Sequence, residues 1–256
     1  MMNSKQDYIA VFDSGVGGIS VLRQLRKLLP RERFLYYGDS ANAPYGTRST
    51  SEVRRLSMAV AEGLIPRGIK ALVVACNTAT AAAIDTLRQA HPDIIVVGVE
   101  PALKLAADHF PNGTIGVMAT PVTLREEKFN HLVDRFADQC RVIRLPAPGL
   151  VELVEAGKAN SPESEALLRR LLGPYIGKLD AVVLGCTHYP FAAETVKKLL
   201  GSHVAIYDGG EGTARETKRR LEASGLLFDG PGEILFENSS ADLEIMKLCK
   251  ILLEQE

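Results

Sequence analysis

Leu72-Val73-Val74-Ala75-Cys76-Asn77-Thr78 is answered later in the chain by Val182-Val183-Leu184-Gly185-Cys186-Thr187-His188. Each stretch is a short run of β-branched and aliphatic residues that ends in a cysteine, followed at once by small polar groups. Such a run reads as a strand buried on both faces, with the polar residues at the turn beyond its carboxyl end. Two copies of one unit point to two α/β lobes, each carrying one cysteine at the end of a strand.

The sequence around these stretches repeats the same rhythm. Tyr8 to Phe12 reads as a strand, with a glycine-rich turn and then a helix from Ile19 to Leu29 that Pro30 ends. Strands at Phe34 to Tyr37, Ala71 to Ala75 and Ile94 to Val97 alternate with helices at Ser51 to Ile65, Thr78 to Ala90 and onward from Pro101, with the last strand stretch ending near Glu100. The second run has strands at Thr114 to Met118, Val142 to Leu145, Ala181 to Leu184 and Val204 to Tyr207. Its helices are expected at Pro121 to Phe136, Pro162 to Ile176, from about Phe191, and at Gly212 to Ala223. The tail adds an edge strand near Ile234 to Phe236 and a helix from Ala241 to Leu253. This alternation predicts parallel sheets covered by helices on both faces. The strand ending at Asp13-Ser14 parallels the one ending at Thr120-Pro121, so the repeat reads as an internal duplication.

Composition narrows the function. With 30 basic and 31 acidic residues among 256 and no basic tract, the chain lacks the electrostatic footprint of a nucleic-acid binder. A small charged substrate fits better. The polar start, Met1 to Asp7, does not read as a signal peptide, and no apolar run approaches the ~20 residues of a membrane span. A cytoplasmic protein is expected. Its four cysteines, at 76, 140, 186 and 249, include no CxxC pair and should be free thiols there. Cys249 falls in an apolar helical pattern and reads as core.

Ligands of open parallel sheets bind beyond the carboxyl ends of the strands. Three polar clusters fall at such ends: Asp13-Ser14-Gly15, Cys76-Asn77-Thr78 and Cys186-Thr187-His188. Each precedes a helix, so backbone N–H groups and the positive end of the helix dipole suit a carboxylate there. The same field is expected to lower a cysteine pKa toward the reactive thiolate. The run Asp13 to Gly18 suggests a phosphate loop, but it lacks the GK[ST] ending and the GxGxxG spacing. Asp13 at its head better suits an ammonium group or a proton. His188 is a candidate acid or base beside Cys186. Pro44-Tyr45-Gly46 lies in a polar loop that could cover a site, and Glu152 and Glu155 are carboxylates of one helical stretch.

Taken in order, Phe12 to Gly18, Asp39-Ser40 through Pro44-Tyr45-Gly46, Ala75 to Ala79 and Gly185 to Pro190 resemble the glutamate racemases of the aspartate/glutamate racemase superfamily. The resemblance runs from about residue 8 to 221. It implies two flavodoxin-like lobes related by a pseudo-twofold axis, residues 1–98 plus 208–256 in the first and 99–207 in the second, with the active site between them. It implies a cofactor-independent isomerase that interconverts L- and D-glutamate, uses no pyridoxal phosphate, metal or nucleotide, and supplies D-glutamate for peptidoglycan. Cys76 and Cys186 are the bases in this reading, Cys76 for D-glutamate and Cys186 for L-glutamate. Asp13, His188 and Glu155 assist, and Asp13, Ser14, Tyr45, Gly46, Asn77, Thr78, Thr187 and His188 contact substrate. The partner implied is this small molecule, with no nucleic acid or membrane, and a homodimer is compatible with it. Two positions depart from the family pattern. Ala147-Pro148 stands where Cys-Pro is common, and Glu152 stands where a proline often precedes the glutamate by three residues.

Chemistry agrees with the resemblance. Racemisation removes an α-proton from one face and returns one to the other, and two opposed thiol groups can do both. The residues leave three alternatives open: a sister racemase acting on aspartate or hydantoins, a binding module without catalysis, and a dithiol redox protein.

Overall fold

The computed structural model describes residues 4–99 and 102–255, and among these the strands form two parallel sheets. The strands are β1 (Tyr8–Asp13), β2 (Arg33–Gly38), β3 (Ile69–Val74), β4 (Ile95–Gly98), β5 (Thr114–Ala119), β6 (Arg141–Pro146), β7 (Ala181–Leu184), β8 (Ala205–Asp208) and β9 (Glu233–Asn238). The first sheet has the order β4-β3-β1-β2-β9 and the second β6-β5-β7-β8. Read from the other side, the second is β8-β7-β5-β6, the same order as β4-β3-β1-β2.

Both sheets are two-sided, as their apolar strands require. In β1, Ile9 and Val11 enter one core, and Ala10 and Phe12 the other. In β7, Ala181 and Val183 face one core, and Val182 and Leu184 the opposite one. Alternate residues of a strand point to opposite faces, so a strand covered on both sides must be apolar throughout. Burying each Val, Leu or Ile contributes about 1.5–3 kcal/mol, and these central strands supply much of that burial.

The register makes the duplication explicit. Ala75 N donates to Phe12 O at 2.8 Å, and Gly185 N donates to Met118 O at 2.7 Å. Asp39 N donates to Asp13 O, and Ala147 N to Ala119 O. Cys76 and Cys186 are therefore equivalent, and Thr120 answers Ser14, one position from the pairing that the strand ends suggest.

The tail belongs to the first sheet. β9 pairs with β2 in parallel, and the helix Leu243–Glu254 buries Cys249, Leu252 and Leu253 in the core that contains Ile9 and Val11. Leu235 of β9 remains exposed, as expected at an edge. At the opposite end of the sheet from the cysteine, Lys70 Nζ is buried against Glu32 Oε2 at 2.6 Å and donates to the carbonyls of Lys5 and Leu226. Glu32 also accepts from Phe228 N.

Three expected helices differ. Pro121 to Phe136 is two helices, Pro121–Arg125 and Glu127–Asp134, separated by an extended Glu126 whose carboxylate accepts from Thr50 Oγ1. The helix from Pro162 stops at Leu172 and a 3-10 turn follows at Gly173–Tyr175, where Pro174 has no N–H to continue it. The helix near Phe191 begins as a 3-10 turn at Tyr189–Ala192. Glu100 and the expected helix start at Pro101 lie outside the described residues, and the helix there is described from Leu103 to His109. Among the described residues, no helix is long and apolar enough to cross a membrane.

Candidate active site

The site is built at the carboxyl ends of β1, β3, β5 and β7. A cavity of about 20 Å³ lies there, lined by Ser14, Tyr45, Cys76, Thr120, Glu155 and Cys186 among others. That volume holds about one water. Residues from both sheets close around it, so the two cysteines share a single space.

Cys76 caps the helix Asn77–Ala90. Its Sγ accepts from Ala79 N at 3.4 Å and donates to Ser14 Oγ at 3.5 Å. A helix N-terminus alone would favour the thiolate, as the sequence suggests. The structure reverses that expectation: burial, then the nearby Asp13 carboxylate, push the Cys76 thiol up to about 12, outweighing the two hydrogen bonds that stabilise its anion. In this closed form Cys76 carries its proton.

Cys186 sits in a different setting. Its Sγ is 3.7 Å from His188 Nδ1, and His188 Nε2 is 2.6 Å from Glu155 Oε1. Burial works against a charged imidazole, but the bonds to Cys186 and Glu155 outweigh it and hold His188 well above the ordinary histidine value. Burial likewise opposes the Glu155 anion, and His188 with the Val16 N–H overcomes it, so the Glu155 pKa is lowered. Glu155 and His188 thus form a partly buried imidazolium–carboxylate pair with a donor directed at Cys186. Glu152 is exposed, and only Glu155 of the two lines the cavity.

The glycine-rich turn has a steric explanation. A Cβ at Gly15 would stand 1.9 Å from Glu155 Oε1, and one at Gly17 would stand 2.3 Å from His188 Nδ1. These glycines admit the second sheet's side chains rather than a phosphate. Val16 N then donates to Glu155 Oε1 at 2.8 Å. Asp13 is fully buried, accepts from Gly15 N at 3.0 Å and from Thr187 Oγ1 at 3.0 Å, and is raised by burial despite His188 nearby. It does not cap the following helix, whose N-cap is Gly18.

The remaining candidates lie around the same space. Tyr45 donates to Asp39 Oδ2 at 2.6 Å, and Gly46 is packed so closely that a Cβ would meet Thr120 Cγ2 at 2.7 Å. Asn77 is buried with its Oδ1 unpartnered among the described residues. Thr78 Oγ1 is 3.1 Å from Thr120 Oγ1 and 3.2 Å from Thr123 Oγ1, and these two are 3.0 Å apart. This triangle of buried hydroxyls joins the lobes. Sequence reasoning does not assign Thr120, Thr123 or Asp39 to the site. Thr120 was accessible through the internal repeat, as the equivalent of Ser14, whereas Thr123 carries no signal of its own.

Among the described residues, no cluster of three or more His, Cys, Asp or Glu side chains could hold a metal ion. The lining contains hydroxyls, an amide, an imidazole, two thiols and the Glu155 carboxylate, with no lysine or arginine. A bound carboxylate would rely on these donors and on the first-turn N–H groups of the helix Asn77–Ala90.

Residues 16–217 match the family described as Asp/Glu/Hydantoin racemase. The chain belongs to this family. It is 46% identical over 249 residues to a glutamate racemase of Clostridium perfringens, covering 96% of each protein. Among solved structures, it resembles a glutamate racemase isoform of Bacillus anthracis with a TM-score of 0.88 and 32% identity, over 98% of this chain and 96% of the other. It resembles the Francisella tularensis glutamate racemase, solved in complex with D-glutamate, with a TM-score of 0.85 and 28% identity, over 98% and 95% of the two chains. These likenesses extend the racemase family assignment over nearly the whole chain, the tail beyond residue 217 included.

Proposed function

We propose that this racemase interconverts L- and D-glutamate by a two-base mechanism with Cys76 and Cys186, without a cofactor, and supplies D-glutamate for peptidoglycan in the cytoplasm. One observation carries the reading: the two thiols follow equivalent strands of two similarly ordered sheets and line one cavity. Near full-length similarity to glutamate racemases supports the substrate. In this reading the first lobe comprises residues 1–98 plus 208–256 and the second 99–207.

From L-glutamate, the Cys186 thiolate takes the α-proton and becomes a thiol. The electron pair left on Cα is shared with the α-carboxylate, which Ser14, Asn77, Thr78, Thr187 and helix N–H groups are suited to bind. The Cys76 thiol then gives its proton to the opposite face and is left as thiolate. D-glutamate results, and a proton exchange resets the pair. The reverse direction exchanges the roles.

The asymmetry of the site fits this sequence of events. Burial and Asp13 keep Cys76 protonated, ready as the acid. His188, held charged by Glu155, offers a donor to the Cys186 anion. Asp13 assists on the Cys76 side and, through Thr187, ties that side to the Cys186 turn. Tyr45 and Gly46 complete the substrate contacts from the covering loop. Because the closed cavity is far smaller than glutamate, the lobes part for substrate to enter.

The test is optical. Dialysed protein should abolish the rotation of pure L-glutamate with no additive, and in D2O should place deuterium at the α-carbon. Glutamate binding without either change would reduce the chain to a binding module.

A further inference from the structure

Asn77 lines two cavities. On one side is the closed space between the cysteines. On the other is a partly open cavity of about 160 Å³ between the helices Asn77–Ala90 and Glu127–Asp134. A void of roughly 150 Å³ accommodates a benzene-sized guest. Thr80 and Ala81 line it from the first lobe, and Val99, Phe129, Leu132 and Arg135 from the second. Its body is apolar and its charged rim is cationic.

The basic side chains of the rim are not equivalent. Lys128 Nζ is 2.7 Å from Asp85 Oδ2, and His131 is 3.6 Å from Glu127. Arg135 carries no ion pair among the described residues and stands 5.8 Å from the ring of Phe136. One arginine is therefore available to an anion. The wall toward the other cavity is polar: Asn77, with its buried unpartnered Oδ1, and Thr123, whose hydroxyl meets Thr78 and Thr120 of the candidate active site.

We propose that this cavity is a second ligand site, for a small monocarboxylate with a branched aliphatic or single-ring body, and that its occupant holds the lobes closed. The apolar walls take the body and Arg135 the carboxylate. A dicarboxylate such as glutamate fits poorly, because its second charge would be buried among Val99, Phe129 and Leu132. The walls come from both lobes, so the ligand makes its full contacts only when the lobes are together. Glutamate exchange needs the lobes apart, so the ligand slows turnover. This last step rests on the proposed racemase activity; the binding does not.

The probe is 4-methylpentanoate, titrated calorimetrically into the full chain and added to racemisation assays at several glutamate concentrations. Saturable binding is expected, with kcat lowered severalfold and not restored by excess glutamate. Arg135→Gln should weaken binding about tenfold or more and leave racemisation without the probe unchanged. Ala81→Leu should abolish binding by filling the space. No saturable binding at millimolar concentration overturns the site, as does wild-type affinity in both variants. Inhibition relieved by excess glutamate places the probe in the active cavity and also overturns it. Binding with kcat unchanged overturns the closing role. If the chain racemises nothing, the calorimetric result still decides the site.

Discussion

Glu155 Oε1 stands 2.6 Å from His188 Nε2, with the imidazole buried and the carboxylate about one-fifth exposed. The same oxygen accepts the Val16 N–H from the opposite lobe. A single carboxylate thus sets the charge of His188 and pins the lobes together. Glu155→Gln keeps the size and can still accept from Val16, but removes the anion. We expect kcat to fall about 10²-fold or more, with a smaller change in KM. Unchanged kcat would separate Glu155 from the chemistry.

The pair also sets a pH dependence. His188 has a folded pKa raised above its unfolded value near 6.5, so its contribution to stability is complete below that value and is lost as pH rises through the folded pKa. Glu155 is depressed, so its contribution is complete above about 4.5 and is lost as pH falls through the lowered value. The pair therefore stabilises the fold most between these limits. In Glu155→Gln the alkaline limb of the rate profile should move to lower pH, measured as kcat against pH with L-glutamate.

Each cysteine has its own substrate face in the proposed mechanism. Cys76→Ser and Cys186→Ser should both lose about 10²- to 10⁴-fold in racemisation. A glutamate analogue with a leaving group at Cβ separates the roles, because elimination needs only one abstraction. Cys76→Ser should eliminate from the L form and not the D form, and Cys186→Ser the reverse. Equal losses for both enantiomers in both variants would refute the assignment.

Gly15→Ala and Gly17→Ala place a methyl group against Glu155 and His188. Overpacking of this kind costs about 1–3 kcal/mol, so circular dichroism should still report a folded protein. Racemisation should fall by far more than that destabilisation implies, because the charged pair is displaced. Near wild-type rates in Gly17→Ala would show that His188 can shift without consequence.

The sequence patterns revealed the sheets because central parallel strands are apolar on both faces and leave an unambiguous signature at Ile9 to Phe12 and Ala181 to Leu184. The two cysteines were visible because duplication put them at one register. Side-chain placement across the cleft was not. Nothing local to Val16 announces Glu155, and the two are 139 positions apart along the chain. The elevation of the Cys76 pKa also needed the fold, since helix position and burial act in opposite directions and only packing decides the balance. Glu126 broke an apparently continuous helix because its carboxylate found Thr50, a tertiary contact that propensity does not register.

Lys70 and Glu32 offer a test of the first lobe alone. Lys70→Met would strand the Glu32 carboxylate in the core and should cost about 3–5 kcal/mol. Combining it with Glu32→Leu should recover much of that loss, read from urea midpoints. An additive loss in the double variant would mean that the backbone bonds to Lys5, Leu226 and Phe228 matter more than the ion pair.

Because β9 and the final helix complete the first sheet, the order of synthesis differs from the order of assembly. β1 to β4 leave the ribosome first but without a cover for β2 or for the core beneath it. The second sheet comes from one uninterrupted run and can form while the first waits. Until Glu233 to Glu254 emerges, β2 presents an open strand edge of the kind that invites misassociation. A nascent chain that has emerged as far as Leu226 would therefore hold a finished second lobe and an unfinished first, and the stretch from Glu233 to Glu254 would seal the strand whose neighbour, β1, carries Asp13 into the site.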